Sequence, residues 1–193
     1  MQHRLFLVIP WFVALTALAG CAKSDKPVAV DCAGVHYCLS AFVQQELQSY
    51  ATSQPSLEKY AYLNGKEETK TLQLDAARWQ VEFTAFKEAD IDKPALRGKY
   101  LVDTLYMDTD SLTKVSYIAQ DPDLRTRYLH LYFKPNATNP SYIEAHLATS
   151  NVFYQSQQDI AFAPGEFYSI SGYQDIWLLG EDSFAVKSVF VKP

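Results

Sequence analysis

Three side chains in the second half of the chain have the types that acid–base catalysis and metal binding use. His130, Glu144 and His146 lie in segments where apolar and polar residues alternate, as they do along β-strands. If the two strands are neighbours, the three side chains would form a His/His/Glu cluster, for a metal ion or for acid–base chemistry. The alternative is a solvated sheet face, where histidine and tyrosine are common. We favour the solvated face and predict no catalytic residue, no metal and no cofactor.

One further motif has the residue types of a nucleophilic site. Ser111 and Lys114 match the S-x-x-K motif of penicillin-recognising enzymes, which requires the serine at the start of a helix. Here the motif opens a predicted strand, in which residues three apart face opposite ways. We therefore interpret it as a turn that leads into a strand.

Tyrosines share the strand faces that carry the two histidines. A tyrosine buries its ring and keeps its hydroxyl in contact with water, which suits a binding surface. The alternation predicts one aromatic binding face, made of Tyr106, Tyr128, His130, Tyr132, Tyr142 and His146. A curled sheet would make this face a cleft for an apolar ligand. An open sheet would present it to a partner protein or a membrane, and an ordinary tyrosine-rich outer face is the alternative.

Composition indicates a folded domain that does not bind nucleic acid. The chain has 193 residues, of which 48% are hydrophobic and 20% are charged. This length and composition predict one packed domain. The net charge of −5 and the pI near 5.3 argue against a nucleic-acid partner.

The first twenty residues are typical of a secretion signal. Arg4 precedes an apolar run from residue 5 to residue 18, which is too short to span a membrane as a helix. The run ends in Leu18-Ala19-Gly20-Cys21, which resembles the lipobox of bacterial lipoproteins. In that family the peptidase cuts before the cysteine, and the cysteine carries the acyl chains. An ordinary signal peptide that ends near a cysteine is the alternative.

The lipobox resemblance implies an organisation and an address. It divides the chain into a signal peptide (1–20), a lipidated tether (21–31) and a single domain (32–193). Ala22 stands where the inner-membrane retention signal of well-studied lipoproteins has Asp. The resemblance therefore implies the outer membrane. Residues 23–27 lack the dense acidic run that some surface-exported lipoproteins carry, which favours the face toward the periplasm. Its partners would be the membrane, through the lipid at Cys21, and an apolar ligand or an envelope protein.

The other two cysteines are candidates for a disulfide. Cys32 and Cys38 are separated by five residues, and the periplasm is oxidising. Free thiols are one alternative. A metal site that includes His36 is another, but no second cysteine pair completes four ligands. A disulfide would join the end of the tether to the start of the first helix.

Hydrophobic periodicity predicts two helices followed by strands. Helical spacing covers Ser40–Ala51 and Asp75–Ala89, and a hairpin with an Asn64-Gly65 turn lies between them. From residue 99 onward the period is two, with short turns that leave no room for crossover helices. We expect a single α+β domain: a curved antiparallel β-meander of six to eight strands, with the two N-terminal helices packed on one face.

The predicted second helix carries an aromatic stripe and is followed by two aspartates. Trp79, Phe83 and Phe86 form an aromatic stripe that predicts a core face. Asp90 and Asp92 follow the helix, where the helix dipole disfavours negative charge. We expect Lys93, Arg97 or backbone amides to hold these carboxylates in an ordered corner.

Longer stretches resemble a group of uncharacterised lipoproteins of the Bacteroidetes type. The resemblance rests on the segment Trp79 to Tyr100, on Ala119 to Arg125 and on the Asn64-Gly65 turn, and it covers roughly residues 40 to 193. It implies no activity. The predicted architecture is also similar, without a shared residue motif, to periplasmic lipoprotein carriers and receptors.

Overall fold

The computed structural model describes residue 30 and residues 32–191. The predicted signal peptide and Cys21 lie outside the described residues. The helices are α1 (Leu39–Ser53), α2 (Ala76–Glu82), α3 (Thr84–Glu88) and a short 3-10 helix (Pro94–Leu96). The strands are β1 (Ser56–Leu63), β2 (Lys66–Gln73), β3 (Tyr100–Met107), β4 (Leu112–Ala119), β5 (Thr126–Phe133), β6 (Tyr142–Ser150), β7 (Tyr154–Ala163), β8 (Phe167–Ile176) and β9 (Gly180–Phe190). None of the helices in this part of the chain has the length and apolar character needed to cross a membrane.

All nine strands form one open antiparallel sheet in the order β2-β1-β9-β8-β7-β6-β5-β4-β3. Strands β3 to β9 are a meander, as the sequence predicts. The meander has seven strands, within the predicted six to eight, and the predicted hairpin, β1–β2, extends the sheet to nine strands. β1 pairs with β9 from Leu57↔Phe190 to Leu63↔Phe184, so the first and last strands of the chain are neighbours in the sheet. The protein is therefore mostly β, with a small helical part.

The helices pack on one face of the sheet around an aromatic core. The predicted stripe is confirmed, because Trp79, Phe83 and Phe86 are fully buried. Their helix is broken, however, into α2 and α3 at Phe83, which has non-helical φ and ψ values of −96° and 15°. Rings from the strands fill the remaining space: the Phe162 ring lies 5.0 Å from Phe83, and the Phe190 ring lies 6.0 Å from Trp79.

A carboxylate from a distant part of the chain caps the first helix. The sequence suggests Ser40 as the N-cap, but α1 begins at Leu39 and its own N-cap residue makes no side-chain capping bond. Asp90 takes this role: its Oδ1 accepts from the Leu39 amide and its Oδ2 from the Ser40 amide, both at 3.2 Å. Its negative charge thus lies at the favourable end of the α1 dipole.

The second carboxylate of the corner binds the segment that leads into α1. Asp92 accepts hydrogen bonds from the amides of Gly34, Val35 and His36, at 3.1, 2.6 and 2.9 Å. Burial alone would raise the pKa of Asp92, but these amide bonds outweigh it and hold the pKa below its ordinary value. Backbone amides therefore hold both carboxylates. Among the described residues neither carboxylate forms a salt bridge.

The predicted disulfide closes the segment that Asp92 binds. Cys32 and Cys38 are joined, which confirms the prediction. The amides that reach Asp92 all belong to the loop between these two cysteines. Disulfide, amide bonds and helix cap together fix the N-terminal segment against the corner at residues 89–92.

This corner lies at one end of the sheet, which we call the disulfide end. The Ala89 carbonyl accepts a 3.3 Å hydrogen bond from Thr126, the first residue of β5. The Lys99 carbonyl accepts a 3.0 Å bond from the amide of Gln120, directly after β4 ends. Because the strands are antiparallel, the loops after β1, β6 and β8 lie at this same end.

We expect Asp92→Asn to destabilise the fold, because the amide side chain loses the charge that the three backbone donors satisfy. The free energy of unfolding should fall by about 1–3 kcal/mol at pH 7. The depressed pKa means that the carboxylate stabilises the fold fully above the unfolded-state pKa of about 4. This contribution is lost as the pH falls through the lower folded-state pKa. The variant should therefore lose less stability than wild type between pH 5 and pH 2, roughly the window of that titration.

Urea unfolding across this pH range measures the effect. Asp110→Asn, in the exposed β3–β4 turn, is the matched control and should leave the curve unchanged. Equal losses in the two variants, or the same acid dependence in Asp92→Asn and wild type, would contradict the role assigned to Asp92.

Candidate binding face

Most of the predicted site residues lie on the sheet face opposite the helices, which we call the outer face. On β5 and β6 they stand directly across from one another, as the pairs Tyr128↔His146, His130↔Glu144 and Tyr132↔Tyr142. Neighbouring side chains at such positions are in contact range. We call these six residues the tyrosine patch.

The rings of the tyrosine patch pack face to face in part. The Tyr128 ring is stacked on His130 at 4.6 Å and on His146 at 5.7 Å between centroids. Tyr132 and Tyr142 lie 5.3 Å apart at a tilt. All six patch residues are half-buried, so each of them keeps part of its surface accessible to solvent. The patch is thus an ordered aromatic surface that remains open to solvent.

A shared carboxylate orders one half of the patch. Tyr132 donates its hydroxyl to Glu144 Oε1 at 2.7 Å, and Tyr142 donates to Oε2 at 3.5 Å. Burial, together with the charge and hydrogen bonds of Glu144, raises the pKa of both tyrosines. The hydroxyls therefore stay protonated at physiological pH and act as donors. The Lys114 ammonium lies 5.3 Å from the centre of the Tyr132 ring, in the range of a cation–π contact.

The His/His/Glu cluster does not assemble in this face. Glu144 is engaged by the two tyrosines, and His146 Nδ1 lies 2.8 Å from Asp159 on β7. His130 Nδ1 is buried and has no hydrogen-bond partner among the described residues. In that same part of the chain, the one set of three metal-ligand atoms within 4.8 Å belongs to Cys32, Cys38 and Asp92, where the two sulfurs are bonded to each other.

Tyr106 does not share this face, which corrects one residue of the predicted set. It pairs with Thr113, and Thr113 pairs with Phe133, a residue of the helix-covered face. The strand positions that reach the outer face on β3 are Leu101, Asp103 and Leu105, with side chains that alternate with that of Tyr106. The turn between β3 and β4 sets this register, and alternation within one strand does not reveal it.

An open groove of about 360 Å³ lies beside the patch on the same face. Its walls include Tyr60 and Tyr62 of β1, and small residues of β8 and β9 line it: Ser169, Ser171 and Ala185. No prediction from the sequence included these residues. Small residues at alternate positions of adjacent strands were visible, but they become a groove only because β1 pairs with β9.

The groove and the tyrosine patch form a continuous surface. Ser169 pairs with Ala161 on β7, and Ala161 pairs with Glu144 of the patch. Phe167 bridges the two regions: its ring lies 6.3 Å from Tyr142, and the Lys187 ammonium of the groove lies 5.4 Å from its centre. An elongated ligand can therefore contact both regions at once.

Comparison with known proteins does not identify the chain. No known protein family matches it, and no curated protein is similar to it.

The buried environment of His130 makes its protonation a test of the patch geometry. Burial, followed by the charge of Lys114, lowers the pKa of His130 below its ordinary value of 6.5, while Glu144 opposes the shift. Removing the ammonium in Lys114→Met should raise the pKa of His130. NMR titration of the histidine ring protons measures this pKa. Lys187→Met removes a cation on the other side of the face and should leave it unchanged. A His130 pKa at or above 6.5 in wild type would contradict the described packing.

Proposed function

We propose that this protein is a non-enzymatic lipoprotein of the bacterial envelope that binds a ligand on the outer face of its sheet. The lipobox at Leu18-Ala19-Gly20-Cys21 supports the anchor, Ala22 favours the outer membrane, and the lack of an acidic run in residues 23–27 favours its periplasmic face. The observation that carries the binding role is the continuous surface formed by the tyrosine patch and the adjacent groove.

The filled interior favours the outer face over an enclosed cavity. The helices cover the other face with rings in mutual contact: Trp79, Phe83 and Phe86 pack on Phe162, Tyr168 and Phe190. A carrier that encloses its ligand between helices and sheet would need apolar space there. The open groove and the half-buried tyrosines provide the accessible apolar surface instead.

The residue types of the face define the chemical class of the ligand. The rings of Tyr60 and Tyr62, which are exposed in the groove, offer apolar contact, while tyrosine hydroxyls, the Glu144 carboxylate and groove serines offer hydrogen bonds at the edges. The charges alternate across the surface, with Lys114 and Lys187 on either side of Glu144 and Asp159. This arrangement suits an elongated ligand with an apolar surface and polar groups along it, such as a lipid-bearing or otherwise amphipathic molecule.

Native mass spectrometry of a secreted, unacylated chain tests the binding role. A chain that begins at Ala22 retains every described residue and hence the whole core. We expect a small-molecule adduct after purification from the periplasm. Ser171→Trp should remove the adduct, because the larger side chain occupies the groove.

The matched control introduces a tryptophan on helix α2, on the opposite side of the sheet from the groove. Val81 is 73% exposed on α2, so Val81→Trp should keep both the fold and the adduct. A bare mass in wild type, or an adduct that survives Ser171→Trp with the fold intact, would count against ligand binding at this face.

A structural role in an envelope complex is the second candidate, and the edge strands favour it. β3 exposes apolar side chains on both faces: Leu101, Val102, Leu105 and Tyr106 are each at least half exposed. The opposite edge, β2, carries Lys66, Lys70 and three glutamate or glutamine side chains, which discourage pairing with another strand. β3 is therefore the edge on which a partner's strand would add.

In-cell photo-cross-linking distinguishes the docking role from the ligand-binding role. If β3 docks on a complex, a photoreactive residue at Leu105 should capture one dominant protein, and Leu105→Lys should weaken retention of that partner by at least tenfold, roughly 1.4 kcal/mol. The same probe at Thr71, which is exposed on β2 and outside the groove, is the control and should capture none. Diffuse labelling from Leu105 would exclude docking through this edge.

A further inference from the structure

Two neighbouring hairpin tips expose the most hydrophobic surface outside the sheet faces. The residues are 62–87% exposed and belong to the β6–β7 and β8–β9 turns: Val152, Phe153, Trp177, Leu178 and Leu179. The surface of a soluble protein tolerates single exposed apolar residues. Five such residues together at adjacent tips indicate a site of contact with an apolar partner or a membrane.

The structure holds the two tips together as one surface. The Trp177 amide donates to the Phe153 carbonyl at 3.0 Å, and the two rings lie 5.8 Å apart. Asn151 Oδ1 accepts from the amides of Phe153 and Tyr154, both at 2.9 Å, and fixes the first turn. The apolar side chains are therefore presented by hydrogen-bonded turns.

These tips lie at the disulfide end of the sheet, where the N-terminal segment also joins the domain. Ten residues lie between Cys21 and Cys32, and the eleven Cα-to-Cα steps allow a reach of about 36–40 Å when fully extended. Val191, the last described residue, lies at the opposite end, where its amide donates to the Ser56 carbonyl at 2.9 Å. An anchor at Cys21 would therefore be attached at the end of the sheet that carries the tips.

We infer that the two hairpin tips insert into the lipid surface to which the protein is anchored. The inference rests on the anchor proposed above. An indole such as Trp177 is suited to the boundary between acyl chains and headgroups, and the leucines beside it can enter the apolar layer. With the tips in the lipid, the strands run away from the membrane and the outer face stays open to the periplasm.

The charges around the tips identify the kind of lipid contact. Asp175 and Glu181 are exposed next to the second tip, and Asp182 follows them. These acids disfavour attraction to anionic headgroups. Insertion should therefore depend on apolar contact, be insensitive to salt, and be no stronger on anionic vesicles than on phosphatidylcholine vesicles.

Tryptophan fluorescence on vesicles tests the inference without relying on natural acylation. The chain from Ala22 contains two tryptophans, Trp79, which is fully buried, and Trp177. An N-terminal His-tag attaches this chain to phosphatidylcholine vesicles that contain a nickel-chelating lipid and brominated acyl chains. We expect emission to shift to shorter wavelength and to be quenched at least twofold for the Trp177 component. Trp177→Phe should remove both changes.

The controls separate the tips from the tether. A C-terminal His-tag attaches the opposite end and should abolish the quenching. Leu178→Glu should abolish it with the N-terminal tag, whereas Val81→Glu on the helical side should not. Flotation confirms attachment in every case, so attached protein without quenching overturns the inference. A tip variant that instead loses a specific protein partner, with no fluorescence change on vesicles, overturns it in favour of protein docking. Failure of Cys21 acylation in cells would affect the proposed anchor and leave this measurement intact.

Discussion

Two buried carboxylates determine how the N-terminal part of this protein meets its sheet. Asp90 caps the first helix across 51 residues of sequence, and Asp92 binds the disulfide-closed loop in front of it. A buried charge is costly unless hydrogen bonds satisfy it, and here backbone amides provide them. If these contacts were lost, α1 would lose its cap and the N-terminal segment its fixed position at the disulfide end.

That position relates the fold to the proposed role. The helices cover one face and their aromatic rings fill the space beneath them, so the opposite face remains accessible. Because the N-terminal segment joins at one end of the strands, an anchored domain can stand with its strands pointing away from the membrane. The tyrosine patch and the groove would then face the periplasm, and the apolar hairpin tips would face the lipid. In the proposed role, one corner of the chain would relate the anchor to the orientation of the outer face.

Local features were predictable from the sequence because they depend on neighbouring residues. The aromatic stripe of Trp79, Phe83 and Phe86, the Asn64-Gly65 turn and the Cys32–Cys38 pair are all short-range signals, and each is present in the structure. The meander from β3 to β9 also follows from alternation and short turns, since consecutive antiparallel strands pair with their neighbours.

Features that join distant residues could not be predicted from the sequence pattern. The pairing of β1 with β9 joins residues more than a hundred positions apart, and it both adds the β1–β2 hairpin to the sheet and creates the groove. The misplacement of Tyr106 has a related cause, because a one-residue change of register moves a side chain to the other face. The capping of α1 by Asp90 could not be predicted, because the two partners are 50 or more positions apart in the chain. The resemblance to uncharacterised lipoproteins and the lipobox remain predictions.

Intact mass analysis of the protein extracted from membranes shows whether acyl chains on Cys21 anchor this domain to the envelope. We expect a chain that begins at Cys21 and carries added acyl mass on its first residue, and a Cys21→Ser variant that is neither acylated nor held in the membrane. An unmodified N terminus, cleavage at another position, or an acylated and membrane-bound Cys21→Ser protein would contradict the proposed anchor.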